Sequence, residues 1–240
     1  METLINFGYW ISSLGFLVAS VLAMLAVRKF GKSTLGSIFS YLFIGTGIFF
    51  IITIFQKLGG DFFQIADESV DIWWHIMFYM ALLSFYRGLK YLVGLGSFET
   101  DPNQGIKIGA EKTWGIVMLV LLVVIFLVPK LAEPIVGAYD ASPLGQLGLH
   151  HFLAFILAGL VGSYLFSAKK NLGQIGKAIA NPMILAVWAL AVQHFWELTT
   201  ESWAVIEITS EKIEGVEKIF LTISALCLAY AAWRLKFFAK

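Results

Sequence analysis

The sequence predicts an all-α integral membrane protein built as a seven-transmembrane helix bundle, and three observations predict it. Of its 240 residues, 59% are hydrophobic and only 14% are charged, with mean hydropathy +0.81, whereas a soluble domain carries about a quarter charged residues. Seven apolar stretches are each long enough to cross a hydrocarbon core of about 30 Å, which takes roughly 20 helical residues. When the connections are assigned alternately to two sides, the basic residues gather on one of them. Unbroken hydrophobicity without period-two alternation selects helices over a β-barrel.

The spans run at about 4–29, 34–56, 70–95, 113–133, 146–168, 180–203 and 214–237 and form one domain over 1–240. The first has Glu2 before it and Arg28, Lys29 and Lys32 after it, the reverse of a cleavable signal peptide. The second carries a mildly polar stripe, Thr46, Thr53 and Gln56, read as interhelical hydrogen bonding. The third opens on Asp67, Glu68 and Ser69, acidic or capping groups suited to a helix start, and closes on Arg87 and Lys90 as cytoplasmic anchors. The connection that follows holds a turn cluster, Asp101-Pro102-Asn103-Gln104-Gly105. The fourth ends near Glu133, a solvated carboxylate beside Pro134. The fifth and sixth begin at Ser142-Pro143 and Asn181-Pro182, each an N-cap followed by proline at the first helical position. The seventh has Glu217 near its start, favoured there by the helix dipole, and Cys227 as a packed thiol.

Thirteen Lys and Arg fall on the side of the first, third and fifth connections and the carboxyl terminus, and four fall on the other. The positive-inside rule makes the first side cytoplasmic, with the amino terminus outside and the carboxyl terminus inside. The acids divide 3 against 13, leaving the outer face acidic. After the first helix come three hairpins that rise outward and return, each with an acidic turn, too faint a likeness to establish a repeat. Short connections leave no room for an extramembrane domain. They fit a prokaryotic plasma membrane.

Net charge is +1 and there is one cysteine, which point away from nucleic acid and exclude an internal disulfide or zinc ribbon. No HExxH, Walker loop, dinucleotide fingerprint or GxSxG elbow occurs. A retinal protein needs a lysine in the middle of its seventh helix. Lys218 is placed only at the outer edge of that span. The seven-span zinc hydrolases of the ceramidase and adiponectin-receptor type carry HxxxH in their last span, where this chain has no histidine.

The informative feature is a polar layer toward the outer face. His75 is early in the third span, His150 and His151 early in the fifth, and His194 late in the sixth. At a rise of about 1.5 Å per residue these positions reach roughly one depth, about 10–12 Å in. Asp71 lies one turn before His75, and His194, Glu197 and Glu201 share a stripe. Tyr79 and Tyr86 continue the Asp71–His75 face. Charged groups at membrane depth face the bundle interior and mark function. His75, His150, His151, His194, Glu197 and Asp71 are therefore candidate ligands for zinc, iron or copper, or imidazole ligands for haem b. Between the neighbours on the fifth helix, His150 continues the small-residue stripe Ala154, Ala158 and Gly162 and is favoured as the inward group. His151 takes its place if that stripe faces a helix remote from the centre.

Asp71-xxx-His75 is similar to the DxxxH metal motif of the C subunit of particulate methane monooxygenases. The match is four residues long, the rest of the chain does not extend it, and it transfers no function.

Two functions follow. One is a membrane metal or haem centre for redox or Lewis-acid chemistry. The other is a non-enzymatic accessory subunit or sensor in a larger membrane complex, with another membrane protein or a second copy as partner. Trp10, Trp73, Trp74, Trp196 and Trp203 crowd the same end, so the polar layer also reads as a hydrated cluster within an aromatic belt. A transporter fits less well, because only Gly45, Gly47 and Pro129 hint at interrupted helices.

Overall fold

The computed structural model describes residues 2–63, 67–96, 110–127, 129–171 and 174–237, and every regular element among them is helical. The α-helices are α1 (Glu2–Phe30), α2 (Thr34–Phe63), α3 (Asp67–Gly96), α4 (Ala110–Leu127), α5 (Pro129–Asp140), α6 (Pro143–Gln146, a single turn), α7 (Leu149–Ala168), α8 (Gln174–Glu197) and α9 (Ser210–Phe237). Five of them, α1, α2, α7, α8 and α9, are long and apolar enough to span a membrane. The chain is an all-helical integral membrane protein on that ground.

Six helices close a ring. α1 packs between α9 and α2, α2 on α3, α3 on α7, α7 on α8, and α8 back on α9. α4 lies outside, against α2 and α3. Phenylalanines fill the ring. Phe16 of α1 stacks on Phe49 of α2 with centroids 5.0 Å apart, and Phe49 meets Phe78 and Phe85 of α3 at 5.7 Å. Gly45 permits that approach, since a Cβ there would sit 2.5 Å from the Phe85 ring. It is a packing contact and not a helix break. The outward faces are apolar, with Leu14, Ile116, Leu119 and Leu160 more than half exposed, as lipid contact requires.

Several boundaries differ from the sequence expectation. Pro182 lies inside α8, which begins at Gln174, so Asn181-Pro182 is not a helix start. Interior proline is tolerated where neighbouring helices shelter the freed carbonyl. Ser142-Pro143 does cap a helix, with Ser142 Oγ accepting from Gly145 N at 3.2 Å, but that helix is only the single turn α6. The fifth long helix starts after Gly148, whose φ of 68° breaks the chain direction. The fourth segment is described as α4 up to Leu127 and as α5 from Pro129, with residue 128 outside the described residues. The turn cluster at 101–105 and the side chains of Asp67, Glu68 and Ser69 lie outside the described residues.

The polar stripe of α2 has mixed roles. Thr53 accepts from Ser13 of α1 at 2.9 Å, an interhelical bond, whereas Thr46 donates back to Leu42 O within its own helix at 2.8 Å. Glu217 and Lys218 sit about two turns into α9 and are buried, not at a solvated helix start. Lys218 packs over Tyr9 at 4.1 Å from the ring centroid and donates to Gln56 Oε1 at 3.4 Å.

Candidate metal centre

Three helices of the ring carry the histidines. α3 contributes His75, the start of α7 contributes His150 and His151, and the end of α8 contributes His194. All four meet. The His75 ring is the hub, with centroids 4.7 Å from His150, 4.7 Å from His151 and 5.1 Å from His194. His75, His151, His194 and Glu197 are buried. Each offers one ligand atom, and those atoms lie within 4.8 Å of one another. Asp71, His150 and His151 form a second such group, more open than the first.

Hydrogen bonds orient the rings. His75 Nδ1 lies 2.9 Å from the Asp71 carbonyl oxygen and 3.3 Å from Asp71 Oδ1. A proton on Nδ1 is thereby shared with oxygen, leaving Nε2 with its lone pair. That Nε2 is buried and has no hydrogen-bond partner. His194 repeats the pattern: Nδ1 lies 2.6 Å from Glu197 Oε2, and Nε2 is buried without a partner. Metal-binding imidazoles are typically held this way, one nitrogen on a carboxylate or carbonyl and the other free for the ion. Glu197 also meets His151 Nδ1 at 3.1 Å and accepts from Gln193 Nε2 at 2.9 Å. The buried His/Glu cluster could hold a metal ion.

α8 ends by widening into a π turn, Leu198–Ser202, a distortion common at functional sites. Thr199 and Thr200 hydroxyls donate to carbonyls of Phe195 and Trp196 freed there. The turn brings Glu201 Oε2 to 3.7 Å from His151 Nε2, while Glu197 approaches the other nitrogen of the same ring. Trp74 closes the apolar side, edge-on to His75 and His194 at 5.0 and 5.2 Å.

A cavity of about 770 Å³ opens onto the cluster. Asp71, His150, His151, Glu197 and Glu201 line it, together with Gln56, Glu214 and Glu217. No Lys or Arg is among the described residues lining it. The centre therefore has a buried apolar side and an acidic side that faces the cavity.

His151 is the more buried of the adjacent pair and shares the inner group, whereas the small-residue stripe had favoured His150. The stripe packs α7 on α8, where a Cβ on Gly162 would lie 3.0 Å from Trp188. His151, three residues before Ala154, lies on that face as readily as His150, four before it. His150 faces Asp71 Oδ2 at 3.1 Å and the Tyr139 hydroxyl at 3.1 Å. Tyr79 donates to the His150 carbonyl at 2.7 Å. Tyr86 is elsewhere, edge-on to Tyr164. Sequence reasoning missed Gln193 and Tyr139. Gln193 was legible, one turn before Glu197 on the same face. Tyr139 reaches the site through a bend at 141–148 that no periodicity foretells. No protein-family model, no curated protein and no solved structure matches this chain.

Proposed function

We propose that the protein is a seven-span membrane protein holding a single transition-metal ion, zinc, iron or copper, on His75, His151, His194 and Glu197. The carrying observation is the pair of buried, unpartnered Nε2 atoms on His75 and His194, each on a ring whose other nitrogen is already engaged. Unpaired buried polar atoms are costly, and an ion supplies the missing partner. Nitrogen-rich sites with one carboxylate suit these borderline ions. Asp71 and Gln193 stand behind the ligands as orienting groups.

An ion fits better than haem b. His151 and His194 are 6.4 Å apart, but His75 lies against both rings and fills the space a porphyrin plane would need. The cavity leaves a coordination position within reach of water and of a small polar substrate, which supports Lewis-acid or redox chemistry.

In this reading α3 and α4 complete seven spans with the five apolar helices. The amino terminus is outside, the carboxyl terminus is cytoplasmic, and the centre opens outward in a prokaryotic plasma membrane. Cysteines placed one at a time at residues 169 and 207, in a Cys227→Ser background, test the topology. An impermeant maleimide applied to cells labels 207 and not 169; the reverse pattern rejects it.

The metal reading is tested by elemental analysis and absorption spectroscopy of the detergent-purified chain. At least one equivalent of metal, reduced by one equivalent in His194→Ala, is expected. A stable, metal-free protein that binds no added ion rejects the centre. It would favour the alternative, an accessory subunit or sensor held by a membrane partner, to which the short connections lend support.

A further inference from the structure

Resting on the single-ion reading above, we propose that the same centre takes a second divalent ion, on Asp71, His150 and His151 at the cavity wall. These three residues each offer an atom within 4.8 Å of the others. His150 Nε2 and Asp71 Oδ2 are 3.1 Å apart. Two ligands bonded to one ion at about 2.0–2.2 Å in tetrahedral geometry stand about 3.3–3.6 Å from each other. The pair is thus already close to ligand spacing, and a shift of a few tenths of an ångström admits the ion.

The neighbouring groups are arranged for it. Tyr139 meets His150 Nδ1 at 3.1 Å, so its oxygen accepts the Nδ1 proton when Nε2 takes an ion. Tyr79 fixes the backbone of the same residue by donating to its carbonyl. Asp71 divides its carboxylate, Oδ1 toward His75 and Oδ2 toward His150. One side chain thereby steadies a ligand of the inner ion and binds the outer one. His151 divides likewise. Its Nδ1 faces Glu197 at 3.1 Å and its Nε2 faces Glu201 at 3.7 Å on the cavity side. The ring serves an ion on each side once its remaining N–H proton has passed to cavity water. Glu201, 46% exposed, closes the outer position.

Charge favours the same placement. Asp140, Glu214 and Glu217 also line the cavity, no described Lys or Arg lines it, and the one described cation paired with these acids is Lys218, whose Nζ is 3.9 Å from Glu217 Oε2. A divalent ion arriving there loses less water than one carried to the inner group, and needs no path through the core.

The test uses the full-length chain in detergent, stripped with chelator, titrated with Co²⁺, desalted and assayed for cobalt and for visible absorption. Two Co²⁺ per chain are expected for the wild type, and one for His150→Ala and for Asp71→Asn. Tyr139→Phe should weaken the second equivalent about 10–100-fold and leave the first unchanged. Saturation of the wild type at one Co²⁺, with His194→Ala binding none and His150→Ala binding one, overturns the second ion and keeps the inner site. Two equivalents that persist in both His150→Ala and Asp71→Asn also overturn it. Absence of any bound cobalt in the wild type rejects the inner site as well.

Discussion

His194 Nδ1 lies 2.6 Å from Glu197 Oε2, one turn further along α8, with both side chains buried. So short a contact is a charge-assisted hydrogen bond. It sets the imidazole so that Nε2, and not Nδ1, is offered to an ion. Glu197 therefore orients His194 as well as standing near the metal position.

Glu197→Gln keeps the shape and removes the charge. Its amide cannot serve His194, His151 and Gln193 together as the carboxylate does. Affinity for the first Co²⁺ should fall at least about tenfold, the usual cost of losing an orienting partner, with elution volume and helix content unchanged. Equal affinity in wild type and variant would show that Glu197 neither binds nor orients.

Metal should stabilise the folded chain. At an ion concentration of about 100 times Kd the linkage is about 2.7 kcal/mol, and a domain of this size moves about 2–4 °C per kcal/mol. Chelation of the loaded protein should then lower Tm by about 5–10 °C, followed by thermal scanning in detergent. His194→Ala should lose the inner ion's share of that dependence and keep only what the outer ion contributes. A wild-type Tm indifferent to both ion and chelator would contradict the linkage.

Gly148 connects the fold to the centre. It holds φ 68° two residues before His150, and a Cβ there would lie 2.1 Å from Ser202 Oγ in the π turn. Gly148→Ala adds about 1–2 kcal/mol of left-handed strain to that clash, so it should lower both Tm and Co²⁺ affinity. Gly159→Ala, inside α7 with nothing within 4 Å, should instead raise Tm slightly, by removing about 0.5–1 kcal/mol of chain entropy. Similar behaviour of the two variants would rule out the role given to the Gly148 turn.

The sequence carried depth better than rotation. Helical rise alone brings His75, His150, His151 and His194 to one stratum, because each sits a countable number of residues from a helix end. Even so, Pro182 proved to be interior to α8, and the estimate for His194 held only because it was measured from a residue and not from the true start. Rotation was ambiguous where offsets of three and four both return to one face, which is why the stripe Ala154, Ala158 and Gly162 could not choose between His150 and His151. Burial of Glu217 and Lys218 was hidden by a start set about four residues late. Those four residues, one turn, move both side chains from the interface into the ring.

That second buried pair gives the last prediction. Lys218 is 2% exposed and has its Nζ 3.9 Å from Glu217 Oε2, 3.4 Å from Gln56 Oε1 and 4.1 Å from the Tyr9 ring centroid. Glu217 Oε1 is buried without a hydrogen-bond partner. Lys218→Met preserves the stem, which packs against Gly8 so closely that a Cβ there would meet Lys218 Cβ at 2.7 Å, and removes only the charge. It strands a carboxylate in the ring, a change that costs about 3–5 kcal/mol when a buried partner is lost. Glu217→Gln combined with Lys218→Met removes both charges, so the double variant should be more stable than Lys218→Met alone. Coupling of about 1–3 kcal/mol between the two substitutions is expected for residues in contact, read from denaturant unfolding of the four proteins in one detergent. Strict additivity would mean that the two groups do not sense each other, and that Gln56 and Tyr9 alone hold the ammonium inside the bundle.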